Sequence, residues 1–219
     1  MDGCRFLAGL SPEKGRVLMF HDIGNDSGEL NIDINLFERI LQKTNGMEYN
    51  VLKYWELAKN KFVALTFDDV MESFFTNGYP LLKKYNYPFT IFVNLSLLDT
   101  PGFITTNNLK ELASDPLCTV GSHGMNHGYF ANFSDEEALK DMKESQEKLQ
   151  LLTGKAVELF AFPYGSVAAV GWGKHKLVRQ VYRYGFSTVN SPIAKHNPLP
   201  LGFLPRMNVD NNTIKNLDL

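Results

Sequence analysis

A run of six apolar or β-branched residues, Phe62-Val63-Ala64-Leu65-Thr66-Phe67, ends on two adjacent carboxylates, Asp68 and Asp69. Its length, branched side chains and aromatics are those of a strand buried on both faces. Two charges at the end of such a strand are costly unless a metal, a substrate or water compensates them. Open α/β folds place their ligands at the C-terminal ends of their strands, so the pair constrains both the fold and the place of a site. A second cluster, Ser122-His123-Gly124-Met125-Asn126-His127, follows the short apolar stretch Cys118-Thr119-Val120-Gly121. Two imidazoles and a carboxylate form a three-donor set that leaves positions for water or substrate, the pattern of a catalytic rather than a structural metal site. Taken singly, Asp-Asp after a strand is a common turn and helix cap, and His-x-x-x-His arises on any exposed helix face. Their joint occurrence, with His21 closing a third apolar run, Val17-Leu18-Met19-Phe20, favours chemistry over turn-making.

Short apolar runs alternate with helical periodicity along the rest of the chain, which predicts strand–helix units around a mainly parallel sheet or barrel. Strands are expected over residues 17–20, 62–67, 89–94, 119–121, 159–162, 186–189 and 203–204, seven in all, and the fold class is therefore α/β, a distorted, incomplete (β/α) barrel. The clearest helix is expected over 135–153, where Ser134 and Glu137 make a capping-box pair, acids crowd the first turn and Gly154 stands at the C-terminal end. Ala138, Leu139, Met142, Leu149 and Leu152 recur at helical spacing and read as core, with the charges from Lys140 to Lys148 as a solvated face. Further helices are expected over 35–42, 80–84, 108–113 and 174–184.

At 219 residues and 44% hydrophobic content the chain fits one domain, residues 1–219, with a full core and no linker. The formal charge of -2, with acids and bases interspersed, gives no footprint for nucleic acid or an anionic membrane. No apolar run approaches a membrane span, and Met1 to Leu10 is too short and mixed for the apolar core of a signal peptide, so a cytoplasmic protein is the expectation. Cys4 and Cys118 are the only cysteines and indicate no disulfide framework.

Thr66-Phe67-Asp68-Asp69, then Ser122-His123-Gly124-Met125-Asn126-His127, then Phe160-Ala161-Phe162-Pro163-Tyr164-Gly165 stand in the order and spacing of the polysaccharide deacetylases, the NodB-homology or carbohydrate esterase family 4 enzymes. The chain resembles that family over about residues 15–210. The resemblance implies metal-dependent hydrolysis of an acetyl group, most often N-acetyl on an amino sugar of an acetylated glycan or its precursor. By resemblance Asp68 is the general base, Asp69, His123 and His127 are the metal ligands, and the backbone N–H of Tyr164 helps hold the oxyanion. A divalent ion would make water acidic and polarise the acetyl carbonyl while Asp68 takes the proton. Zinc suits imidazole plus carboxylate, and cobalt, nickel or iron would take the same donors.

Two departures from the best-known members matter. Ala161 stands where many members carry an arginine that braces the base, and no C-terminal motif with an acid histidine follows Phe186. The segment Phe203-Leu204-Pro205-Arg206-Met207-Asn208-Val209-Asp210 resembles a branch in which an arginine on the final strand replaces the missing one, so Arg206 is the expected brace for Asp68; the plainer alternative pairs it with Asp210 at the surface. His21 is the leading general-acid candidate, with a hydrogen-bonded rim histidine beside Asp22 as its alternative, and His196 is a weaker candidate. His175, between Lys174 and Lys176, is expected on an exposed helix. Pro163, Tyr164 and Trp172 are expected at the substrate, and Phe74, Phe75, Tyr129 and Phe130 also flank the motifs. Two rival functions remain: hydrolysis of another C–N bond or an O-acetyl ester on the same fold, and a non-catalytic carbohydrate-binding module, against which retention of Asp68 argues.

Overall fold

The computed structural model describes residues 14–24, 28–45, 62–194 and 200–211. Seven parallel strands form the main sheet: β1 Lys14–Phe20, β2 Val63–Asp68, β3 Phe89–Val93, β4 Cys118–Ser122, β5 Leu159–Ala161, β6 Tyr184–Phe186 and β7 Met207–Asn208. Their order is β7-β1-β2-β3-β4-β5-β6, with Ile193–Ala194 added antiparallel to the start of β1. The sheet curls into a half-barrel, as the distorted, incomplete (β/α) barrel requires. Around it lie α1 Ile34–Lys43, α2 Tyr79–Lys84, α3 Thr106–Ser114, α4 Asp135–Thr153 and α5 Lys174–Val178. None of the helices among the described residues is long and apolar enough to cross a membrane.

Strand alternation divides the core in two. Val63, Leu65 and Phe67 of β2 and Phe89, Ile91 and Val93 of β3 face the helices, in one cluster with Phe37, Leu109, Met142 and Val178. The opposite faces point into the half-barrel, where Val17, Ala64, Phe92, Leu159, Ala161, Tyr184, Phe186 and Leu204 pack together. The same period of two places Thr66 and Asp68 on the inner face of β2. In the register of β1 against β2, Phe20 lies beside Phe67, so His21 lies level with Asp68. The inner face must hold large groups, and it uses small residues to do so: a Cβ at Gly121 would lie 2.5 Å from the Phe92 ring.

Several boundaries differ from the sequence expectation, among them the strand expected over 186–189, which spans Tyr184–Phe186 instead; three differences have a local reason. The helix expected over 174–184 ends at Val178, because Tyr184 and Phe186 enter β6 and fill the inner core. Residues 203–204 contribute only a single bridge from Leu204 to Phe186; Pro205 has no N–H to extend the ladder, and pairing resumes at Met207 on β1. The helix expected over 80–84 is preceded by a π-helical turn, Phe74–Gly78, widened where Pro80 removes a helical N–H donor. Segment 200–206 thereby crosses from β6 to the β1 edge. Its bonds Gly185 N to Leu201 O (2.8 Å), Leu204 N to Gly185 O (2.7 Å) and Arg206 N to Val189 O (3.1 Å) close the open side of the half-barrel.

Candidate active site

The C-terminal ends of β2 and β4 bring three donors together. Asp69 Oδ1 lies 3.4 Å from His127 Nε2 and 3.8 Å from His123 Nε2, and one ligand atom from each residue falls within 4.8 Å of the others. Asp69 Oδ1 is buried and has no hydrogen-bond partner among the described residues, which is costly for a carboxylate oxygen unless a cation completes it. His123 is buried, and its Nδ1 donates to the Ala161 carbonyl at 2.8 Å when that nitrogen carries the proton. That bond fixes the tautomer with a lone pair on Nε2, the nitrogen that faces Asp69. Donor chemistry and geometry thus fit a divalent metal ion.

Asp68 Oδ1 and Oδ2 accept from Arg206 Nη1 and Nη2 at 2.6 and 2.7 Å, a bidentate fork inside the barrel. Both residues are buried, and the guanidinium is held further by the Ser187 carbonyl at 3.0 Å, by Thr66 Oγ1 at 3.2 Å and by the Phe92 ring, 5.2 Å from its carbon. Asp210 instead accepts from Asn208 at 2.7 Å, so the surface pairing with Arg206 does not occur. Ala161, at the position where an arginine is absent, lies on the inner face with Arg206 filling the barrel from the opposite edge.

Burial raises the Asp68 carboxyl, but Arg206, His123 and His21 outweigh it and hold the group down to about 2. Desolvation pushes the Asp69 carboxyl up, offset in part by His123. Desolvation also lowers the imidazoles of His123 and His127, against the pull of Asp68. Neutral imidazoles do not form ion pairs with Asp69, so these close approaches are better understood as a donor set than as salt bridges.

The backbone at these residues is unusual. Asp69, Val70, His127 and Tyr164 have φ of 60°, 56°, 49° and 60°, the left-handed region that costs a non-glycine residue about 1–2 kcal/mol. Core burial of Val70 and its carbonyl bond from Ile104 N, 3.2 Å, hold the first turn. At Pro163-Tyr164-Gly165, Thr188 grips the turn: its Oγ1 donates to the Tyr164 carbonyl and its N–H to the Gly165 carbonyl, both at 3.0 Å. A Cβ at Gly165 would lie 2.8 Å from Thr188 N, so the close approach requires glycine.

Other expected residues sort clearly. His21 is largely shielded; its Nδ1 is buried without a partner among the described residues, and its imidazole is lowered by desolvation, against Asp68. Trp172 is fully exposed and Tyr164 half exposed. Tyr129 stacks on Tyr164, whereas Phe74 and Phe130 are buried core residues, which removes those two from a substrate role, and Phe75 packs partly buried against the core and stacks on Tyr79. Lys174, beside His175, is buried and paired with Asp135 at 2.6 Å. His196 lies outside the described residues. Sequence reasoning missed Asp141, placed on the solvated face of α4: it is buried, and both its oxygens accept from Met125 N–H at 3.2 Å, inside the loop between His123 and His127. The signal was available, since 138, 141, 145 and 149 fall on one helical stripe.

A family model described as polysaccharide deacetylase matches residues 57–187. A poly-beta-1,6-N-acetyl-D-glucosamine N-deacetylase of Staphylococcus epidermidis is 28% identical over 131 residues, 53% of this chain and 45% of that protein. The chain spans about half the length of the curated relatives it matches. Among solved structures, the polysaccharide deacetylase BC0361 of Bacillus cereus aligns with a TM-score of 0.80 at 22% identity, covering 95% of this chain and 70% of that one. IcaB of Ammonifex degensii aligns at 0.80 and 22%, covering 92% and 94%, and both show the fold. The carboxylates of β2 and the histidines after β4 both lie inside the matched segment, which takes in more than half of the sequence: the chain belongs to the polysaccharide deacetylase family.

Proposed function

We propose that this protein hydrolyses acetyl groups on a glycan, namely the N-acetyl of an amino sugar, with Asp69, His123 and His127 holding a divalent cation of which zinc is the best match to the donors. The observation that carries the reading is the adjacency of this donor set to a carboxylate with its own buried guanidinium brace. When bound, the ion supplies the positive charge that makes water acidic and an acetyl carbonyl electrophilic. Asp68, ionised at any working pH, accepts the proton of the attacking water; the Arg206 fork occupies one lone-pair direction on each oxygen and leaves the other free. The Tyr164 N–H, fixed by its strained turn and given no acceptor among the described residues, is the donor for the developing oxyanion. Carbon–nitrogen cleavage then needs a proton at the departing amine, and His21, level with Asp68, is its proposed source. A purely carbohydrate-binding module has no need of a braced base.

Acetate release from N-acetylglucosamine oligomers tests the reading. Asp68→Asn is expected to keep its metal and lose about 10²–10⁴-fold in kcat; undiminished turnover would reduce Asp68 to a structural role. His21→Ala is expected to cripple N-acetyl hydrolysis far more than hydrolysis of an activated aryl acetate, whose leaving group departs as a stable anion. Equal losses on both substrates would remove the acid assignment.

A further inference from the structure

The two imidazoles of the donor set are anchored in different ways. His123 is fixed through its own ring, by the bond between Nδ1 and the Ala161 carbonyl. The His127 ring makes no hydrogen bond to another side chain among the described residues; it meets the rings of His123 and Tyr164, at 5.2 and 4.7 Å between centroids, and these contacts fix no tautomer. Its place beside Asp69 therefore depends on the backbone of residues 124–126 and on its own φ of 49°. That loop is gripped from behind by α4. Asp141, 8% exposed, accepts the Met125 N–H with both oxygens at 3.2 Å. One turn further along the helix, Ser145 Oγ accepts from Ser122 Oγ at 2.9 Å, and Ser122 Oγ accepts the Gly124 N–H at 3.2 Å. The fit is close: a Cβ at Gly124, whose φ is 82°, would lie 3.0 Å from Asp141 Oδ1, so only glycine lets the loop seat on the carboxylate. On its solvent side the loop borders an open cleft of about 240 Å³, lined in part by Met125, Asn126 and Glu144, so hydrogen bonds rather than packing hold it there.

We infer that Asp141 is a positioning residue for the metal centre: by holding the Met125 N–H it sets the loop that presents His127 to the ion, while Ser145 steadies the preceding residue through Ser122. The inference rests on the reading of the donor set as a metal centre, and it adds a residue that touches neither the ion nor the substrate. A donor whose ring has no hydrogen-bonded brace of its own must be oriented through its backbone, and a small shift of that backbone takes its nitrogen out of coordination distance. The role of Asp141 is to accept a hydrogen bond, so an amide oxygen at this position can serve and a methyl group cannot.

The test measures zinc affinity, by competition with a chelating indicator, for chelator-stripped wild type, Asp141→Ala, Asp141→Asn and Ser134→Ala, together with hydrogen exchange at the Met125 amide. The expected result is about 10-fold weaker zinc binding and a faster-exchanging Met125 amide in Asp141→Ala, with Asp141→Asn within about threefold of the wild type. Ser134→Ala loosens the start of the same helix without touching the loop; it should leave the affinity unchanged, which separates positioning from a general loss of stability. Equal affinity in the wild type and Asp141→Ala, a fall in Asp141→Asn as large as that in Asp141→Ala, or the same fall in Ser134→Ala would overturn the inference. If Asp141→Ala did not fold, exchange in the wild type decides: a Met125 amide protected in the metal-free protein supports the grip, and one that exchanges as fast as an unstructured peptide overturns it. A wild type that bound no zinc would defeat the metal reading and this role with it, whereas zinc binding that ignores residue 141 defeats this role alone.

Discussion

Asp68 and Arg206 show how one pair can be both structural and chemical. A carboxylate buried at the end of β2 would resist ionisation, yet the fork from Arg206 holds it down to about 2 from 3.8. Because the folded value lies below the unfolded one, the stabilisation is present above about pH 3.8 and is lost as pH falls through about 2. Arg206→Met leaves the charge uncompensated and should cost about 3–5 kcal/mol near neutrality. The gap from the wild type should narrow as pH falls, first as the unpaired Asp68 of the variant, raised by burial, takes up its proton above about pH 3.8, then as the wild type loses its own contribution between about pH 3.8 and 2. Thermal melts across pH check both, and a gap that did not vary with pH would show packing loss instead. Arg206→Lys should recover part of the stability but little activity, since an ammonium cannot reproduce the fork.

Helix α4 carries both a legible and a hidden feature. Its start follows from sequence: Ser134 Oγ accepts from Glu137 N–H at 3.1 Å, and the Glu137 carboxylate accepts from Ser134 N–H at 2.7 Å. Ser134→Ala should cost about 0.5–2 kcal/mol in denaturant unfolding. Asp141 was hidden because a carboxylate amid charged neighbours reads as solvated until the Met125 loop is seen to cover it. Burial, first, and Glu144 push its carboxyl up to about 6, against the Met125 N–H bond. A folded value above the unfolded 3.8 means that its contribution is full below about pH 3.8 and lost as pH rises through about 6. Asp141→Asn should therefore gain stability relative to the wild type between about pH 4 and 7, by at most about 3 kcal/mol. Melting curves over that range check it; a difference that is constant across pH would contradict a buried, ionising Asp141.

At the scale of the molecule, the strand runs and their ends were readable because burial on two faces demands continuous apolar stretches, and charges at their ends then stand out. The positive φ of four residues at the site was not readable, since Asp, Val, His and Tyr do not advertise left-handed backbone as glycine does. Nor was the closure of the half-barrel, which depends on Pro205 breaking a ladder and on a glycine contact between distant segments. A Cβ at Gly202 would lie 1.9 Å from the His175 carbonyl, so Gly202→Ala must displace the segment that delivers Arg206. It should lower kcat while leaving metal content near that of the wild type, because the donors sit beyond the C-terminal ends of β2 and β4, away from the closing segment. Elemental analysis alongside acetate release checks this, and parallel losses of metal and turnover would show that the closing segment also shapes the donor set.

The central claim is that Asp69, His123 and His127 form one metal centre, and calorimetric titration of chelator-stripped protein with zinc tests it most directly. The wild type should bind one ion per chain, and Asp69→Ala and His127→Ala, each verified as folded, should lose at least most of that affinity. Undiminished zinc binding in both variants would contradict the account.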